Sequence, residues 1–112
     1  MSNPRVVDLD PKAPNLYFLE NPVSRAKAAA KVPFDLVKND VSPPNLVEFQ
    51  GGGFIFNGNH RIFALRCLDP SAPGSIRVNL FTVDEFAAYS GRSRQYLLHM
   101  IGRATQTPTL GP

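Results

Sequence analysis

The chain has 112 residues, of which 43% are hydrophobic and 19% are charged. That length and composition are those of a single globular domain, and they exclude a chain that is disordered throughout. The formal net charge of +3 permits an anionic ligand without requiring one, and no run of Lys and Arg marks a nucleic-acid-binding arm.

The first third of the chain predicts one strand and two helices. Segment 5–9 alternates loosely and predicts a short strand, whereas segment 15–19 is compatible with a strand or with an apolar loop packed on the core. Asn21-Pro22 is typical of a helix start, because Asn caps backbone amides and Pro is tolerated at the first helical position. We therefore predict an alanine-rich helix over 23–31 and a second short helix over 33–38.

The middle of the chain predicts a hairpin followed by a helix. Strands over 45–49 and 54–56 are joined by a flexible turn at 50–53, a spacing that favours antiparallel pairing. Asn57–Arg61 reads Asn-Gly-Asn-His-Arg and separates the second strand from an apolar pattern with helical spacing. That pattern, Ile62, Leu65 and Leu68, predicts a helix beginning at Ile62.

The last third predicts one strand, two helices and a tail. Segment 75–81 alternates cleanly between apolar and polar residues and predicts a half-buried strand. Thr82 and Glu85 fit the capping-box pattern of a helix start. A further helix is predicted over 92–101, and the polar, Pro-containing segment 105–112 predicts a disordered tail.

Helices and strands are thus mixed along the chain, and one antiparallel hairpin interrupts the alternation. This order is typical of an α+β fold, which we predict as a small single domain with a mixed sheet over residues 1–104.

The Asn-Gly-Asn-His-Arg turn is the best candidate for a functional site. Free amides at a helix start, together with the helix dipole, favour an anion where a strand feeds a helix through a glycine-containing turn. Gly58 allows close backbone approach, and His60 and Arg61 add side-chain donors suited to phosphate oxygens. The alternative is an ordinary tight turn in which His60 caps or packs locally.

This turn resembles a motif of the superfamily that contains the ParB amino-terminal domain and sulfiredoxin. The resemblance lies in a strand, then Gly58, Asn59, His60 and Arg61, then a helix containing Ala64, which is similar to Gly-x-(His/Arg)-Arg followed by x-x-Ala. The order and spacing of the flanking elements, over roughly residues 5–83, agree with it. A ParB- and sulfiredoxin-like fold is therefore expected.

In that superfamily the turn and the start of its helix bind nucleotide phosphates. Its members include partition proteins that bind and hydrolyse CTP, sulfiredoxins that use ATP, a free-serine kinase and nucleases. The resemblance implies that Gly58, Asn59, His60 and Arg61 contact phosphate, with ATP or CTP and Mg²⁺ as the expected cofactors. The partner would be a nucleotide or the phosphate backbone of a nucleic acid, and a dimer stays open.

Two departures from the superfamily narrow this expectation. Sulfiredoxin carries a reactive cysteine where this chain has Asn59, and Cys67 lies about two turns further along the predicted helix, where we expect it to be buried. Sulfinic acid repair is therefore not expected. The roughly 30 residues after Thr82 are too few for the helix-turn-helix and dimerisation regions of a partition protein.

Catalysis at the turn would require a base or a metal as well as a phosphate cradle. Glu20 and Glu48 are the carboxylates best placed by the predicted order to face the turn, and solvated surface charges are the alternative for both. Arg92 and Arg94 either face the same site or lie on a solvated helix. The sequence contains no metal-binding motif.

Two classes of function follow from the sequence. One is a stand-alone enzyme acting on phosphate, such as a nuclease, kinase or NTPase. The other is a non-enzymatic module that binds nucleic acid or protein, for example a regulator or inhibitor in a mobile element or phage. The single Cys67 and the absence of an apolar run of ~20 residues predict a cytoplasmic protein without a membrane span.

Overall fold

A computed structural model describes residues 4–112, so the first three residues of the predicted domain lie outside the described residues. The strands are β1 (Arg5–Leu9), β2 (Leu16–Phe18), β3 (Val23–Ser24), β4 (Asn45–Phe49), β5 (Gly52–Asn57), β6 (Ile76–Thr82) and β7 (Leu110–Gly111). The helices are α1 (Arg25–Ala29), α2 (Leu36–Val41), α3 (Asn59–Cys67), α4 (Val83–Ser90) and α5 (Arg94–Gly102). Within this part of the chain, no helix is both long enough and apolar enough to cross a membrane.

Five of the strands form one sheet in the order β1-β6-β4-β5-β2. The β1–β6 and β4–β5 pairs are antiparallel, whereas β4–β6 and β2–β5 are parallel. The sheet is therefore mixed and the predicted α+β class is confirmed. The predicted hairpin is also present, and segment 15–19 contributes the short strand β2 rather than a loop.

Two apolar clusters cover the two faces of this sheet, because side chains alternate along each strand. Leu46 and Ile55 belong to the cluster that α1 and α3 cover, and the adjacent Val47 and Phe54 belong to the cluster that α4 and α5 cover. The sheet thus lies between two helical layers, and the amino-terminal end of α3 emerges at the edge of one layer.

Helix starts differ from the sequence prediction at two places that matter for the site. The first helix is capped by Ser24, whose side chain accepts from Lys27 N–H, and not by Asn21. Asn21 instead accepts hydrogen bonds from the backbone and hydroxyl of Thr109. The helix predicted from Ile62 begins at Asn59, so the motif residues form its first turn.

The predicted capping box of α4 is confirmed, since Thr82 accepts from Glu85 N–H and Glu85 accepts from Thr82 N–H. Helix α4 therefore begins at a site that local sequence chemistry specifies.

Residues 105–112, which we call the carboxyl-terminal segment, pair with the domain, whereas their composition predicts a disordered tail. Thr105 and Phe18 exchange backbone hydrogen bonds of 2.7 and 3.0 Å, and Val23 N–H donates to Thr109 C=O at 2.8 Å. Strand β7 pairs parallel with β3, and Leu110 packs against the first apolar cluster. Backbone pairing with β2 and β3 holds this segment, and composition does not report such long-range pairing.

Deleting residues 107–112 should lower the free energy of unfolding by about 2 kcal/mol or more. The backbone N–H of Val23 would lose its acceptor, Thr109 C=O, and the buried Val23 would lose the neighbouring strand β7. Urea denaturation monitored by circular dichroism measures the change. Thr107→Ala is the control, because it removes an exposed side chain of the same segment and leaves the backbone in place. An unchanged midpoint after the deletion would mean that the segment is a dispensable tail.

Candidate functional site

The turn before α3 leaves backbone donors pointing out of the domain. Gly58 is the N-cap residue with φ +95°, and among residues 4–112 no side chain caps this helix end. The first helical hydrogen bond runs from Ile62 N–H to Gly58 C=O at 2.9 Å. By helix geometry the amides of Asn59, His60 and Arg61 have no intrahelical acceptor. A nine-residue helix therefore presents three donors and the positive end of its dipole at one point.

A small cavity of about 160 Å³ lies at this helix end. It is lined by the five motif residues and by Lys31, which follows α1. Sequence reasoning missed Lys31, although the spacing of Lys27 and Lys31 places both on one face of a helix. In the structure Lys31 lies just after α1, and it reaches the turn because α1 packs on α3. The cavity therefore combines backbone donors with a basic side chain from another element.

The side chain of Asn59 is buried and serves the fold. Its amide nitrogen donates to Ile55 C=O at 2.9 Å, and its oxygen accepts from the N–H groups of Leu19 at 3.0 Å and Glu20 at 3.4 Å. These bonds join the end of β5 to the chain that follows β2. The predicted phosphate contact of Asn59 can consequently come only from its backbone amide.

The imidazole of His60 also has a partner within the domain. Its Nε2 accepts from Ser24 N–H at 3.2 Å, which requires a neutral ring with the proton on Nδ1. Burial lowers the pKa of His60, Glu20 opposes this shift, and Lys27 and Lys31 add to it. His60 thus enters the cavity as a neutral group whose remaining donor is Nδ1–H.

Arg61 fastens α2 while it lines the cavity. Its Nη1 donates to Asn39 Oδ1 at 3.2 Å and to Ser42 C=O at 2.7 Å. Burial lowers the pKa of the Arg61 guanidinium, a group that nonetheless stays protonated in proteins. Its other nitrogens make no hydrogen bond to any residue of the described range 4–112. Nη1 of the guanidinium is therefore used to hold α2, and its other nitrogens are available to an anion.

The structure brings one of the two predicted carboxylates to the site and separates the other from it. Glu20 is exposed and its backbone N–H donates to Asn59 Oδ1 at 3.4 Å, so it lies beside the turn. Glu48 instead pairs with Arg5 at 3.8 Å on the surface. Pro44, not Glu48, contacts Gly58. Glu48 is four residue steps from Pro44, which is about 13 Å along a strand. Glu48 is therefore not assembled with the turn.

A larger cavity of about 420 Å³ adjoins the turn and shares Asn59 with its lining. Glu20 lies at this cavity, and α4, α5 and the loop between them supply most of the rest, including Phe86, Arg92 and Tyr96. The guanidinium of Arg92 lies 4.9 Å from the centre of the Tyr96 ring. Of the two arginines considered from sequence, Arg92 faces this cavity, whereas Arg94 pairs with Asp84 at 2.6 Å.

Two further kinds of site, a reactive thiol and a metal site, were considered among the described residues 4–112. Cys67 is exposed at the end of α3, not buried as expected from the helical pattern, and it lies outside both cavities. Across residues 4–112, no group of three or more His, Cys, Asp or Glu side chains is arranged to hold a metal ion.

No protein-family model, no curated protein and no solved structure matches this chain.

Gly58→Ala should destabilise the protein by about 2 kcal/mol or more. A Cβ at Gly58 would lie 2.7 Å from Pro44 Cβ, and the φ of +95° is strained for alanine. Gly91→Ala is the matched control, because Gly91 also has a positive φ but an added Cβ would meet nothing within 4 Å. Thermal denaturation should show the larger loss for Gly58→Ala; equal losses would exclude the Pro44 contact as a constraint.

The lowered pKa of His60 makes stability depend on pH. The folded state disfavours protonation, so this contribution is fully present above the unfolded pKa of ~6.5 and is lost as pH falls through the folded value. His60→Gln should therefore show a smaller decrease in unfolding free energy between pH 7.5 and 5.5 than the parent. His99→Gln, which changes an exposed histidine on α5, is the matched control substitution. Identical slopes in the parent and His60→Gln would contradict the assignment.

Proposed function

We propose that the turn at the start of α3 binds a phosphate group and that the ligand is a nucleotide. The observation that carries the proposal is the uncapped end of a nine-residue helix opening into a cavity that Lys31 also lines. Backbone amides at a helix start hydrogen-bond phosphate oxygens, and the dipole and the lysine charge favour the anion. The resemblance of the Gly58–Arg61 turn to ParB- and sulfiredoxin-like proteins supports the same ligand.

The side chains of the motif refine this role. Asn59 and His60 are held by the fold, so the phosphate is gripped by their backbone amides, by Lys31 and by the unbonded nitrogens of Arg61. His60 Nδ1–H adds a neutral donor. A doubly charged phosphate thus meets a site whose positive charge comes from two side chains and a helix end.

The adjoining cavity favours a nucleotide over free phosphate. At about 420 Å³ it falls within the range of small-molecule sites, and aromatic side chains such as Phe86 and Tyr96 suit a planar base. Asn59 lines both cavities, and in the arrangement we propose one ligand places its phosphates at the turn and its nucleoside against α4 and α5. ATP and CTP are the ligands we expect.

Among residues 4–112, Glu20 is the carboxylate that lines one of these two cavities, and we propose it as the residue that would take part in phosphoryl or phosphodiester chemistry. Mg²⁺ commonly keeps several waters and uses one or two carboxylates with substrate phosphates. A single glutamate beside the phosphate cavity fits a metal that arrives with the nucleotide. Such an enzyme would act in the cytoplasm, and an exposed free thiol at Cys67 is compatible with that reducing compartment.

A non-enzymatic nucleic-acid-binding module is the second candidate. Lys31 and Arg61 line both the small cavity and a wider groove that continues to Lys38, so a phosphate backbone could follow several basic groups. Such binding would weaken steeply with salt, which distinguishes it from a nucleotide held in a cavity.

Lys31→Glu should weaken ATP or CTP binding at least tenfold, because it places an acidic group in the phosphate cavity. Isothermal titration with each nucleotide, with pyrophosphate and with a twelve-nucleotide single strand, with and without Mg²⁺, measures the effect. Lys12→Glu is the charge-matched control, since Lys12 is an exposed lysine between β1 and β2.

Arg61→Ala is a poorer test, because it also releases α2 from Asn39 and Ser42. Equal affinities in the parent and Lys31→Glu, or no binding of any of these anions to the parent, would refute the phosphate site. Tighter binding of the single strand than of either nucleotide would favour the second candidate.

A further inference from the structure

The outer face of α2 exposes three aliphatic side chains. Leu36, Val37 and Val41 are 62%, 72% and 81% exposed, although the helix has only six residues. Val37 and Val41 are four residues apart and therefore neighbours on the helix surface, whereas Leu36 is about 100° from Val37 around the helix, with the exposed Asp40 between those two. Contiguous exposed apolar groups of this kind mark interaction sites more often than scattered single ones do.

The orientation of α2 is fixed by polar bonds on its inner side. Asn39 is 1% exposed, and its amide donates to Arg77 C=O at 3.1 Å while its oxygen accepts from Arg61. Rotating the helix to bury its aliphatic side chains would break both bonds and leave a buried amide unsatisfied. The apolar face is consequently held outward by the fold.

A groove of about 530 Å³ runs beside this face and is basic. It is lined by residues 30–39 and Arg61, which include Lys31 and Lys38. Asp35, the acidic residue of that lining, is engaged as the N-cap of α2, where it accepts from Lys38 N–H at 3.1 Å. Segment 25–41 and Arg61 together carry five basic and two acidic residues. This excess equals the net charge of the whole chain.

We propose that the outer face of α2 and this groove form a docking surface for an acidic segment of a partner protein. An apolar side chain of the segment packs on Leu36, Val37 and Val41, and its carboxylates meet Lys31 and Lys38. The exposed aliphatic groups favour a protein over a nucleic acid, whose backbone offers nothing for them to bury. Asp40 is also exposed on α2 and repels carboxylates at that point, so the carboxylates of the segment meet the basic groove and its apolar side chain meets the helix face.

Binding of a designed peptide tests this surface directly. The probe is a fluorescein-labelled twelve-residue peptide of alternating Glu and Leu, followed by polarisation and by amide chemical shifts of the full chain. We expect saturable binding with shifts over 31–41. Matched Glu/Ser and Lys/Leu peptides should bind at least tenfold more weakly, because each lacks one of the two chemistries.

The double variant Val37→Ser, Val41→Ser should lose at least tenfold in affinity for the Glu/Leu peptide. Val6→Ser, which changes a 57% exposed valine on β1, should leave that affinity unchanged. Neither Val37 nor Val41 lines the phosphate cavity, so nucleotide binding by the double variant should equal that of the parent. A failure of the proposed peptide-docking surface can therefore be distinguished from a failure of the proposed phosphate site.

Three outcomes would overturn the proposal. Equal binding of the Glu/Ser peptide would reduce the surface to non-specific charge attraction. Unchanged affinity in the double variant would remove α2 from the interface. Binding to phosphatidylglycerol and phosphatidylcholine vesicles without binding of the Glu/Leu peptide would assign the face to a lipid surface.

Discussion

One buried side-chain amide, that of Asn59, joins strand β5 to the chain that follows β2. Asn59 is 6% exposed and uses both ends of its side chain, bonding Ile55 C=O on one strand and Leu19 N–H beyond the end of another. The parallel strands β2 and β5 share only three paired positions. Beyond the last pair, the Asn59 side chain supplies the hydrogen bonds that connect the two segments. Removing it would leave buried backbone groups without partners, which costs more than a hydrogen bond is worth.

The next two residues extend the same principle. His60 fixes the start of α1 through Ser24, and Arg61 fixes α2 through Asn39. Three consecutive side chains in one helical turn therefore fasten three different segments, while their backbone amides remain directed outward. The side chains of this turn are used for the fold, and its backbone amides stay free for the phosphate role that we propose.

Local chemistry was sufficient where a few neighbouring residues determine the structure. The hairpin, the Thr82 capping box and the strand of β6 follow from alternation and capping alone. Prediction failed where distant partners decide. Glu48 lies on the predicted strand but faces Arg5, and Lys31 reaches the turn only because α1 packs on α3. The start of α3 was also misplaced, since the apolar period begins one turn after the helix does.

The pairing of β7 with β3 links the far end of the chain to the site. Ser24 is opposite Gly111 in that pairing, and the same residue caps α1 and donates its N–H to His60. Ser24 therefore connects the carboxyl-terminal segment to the turn at the start of α3. We therefore expect a label or surface attachment at residue 111 to disturb the position of Ser24 and, with it, the hydrogen bond to His60 at the start of α3.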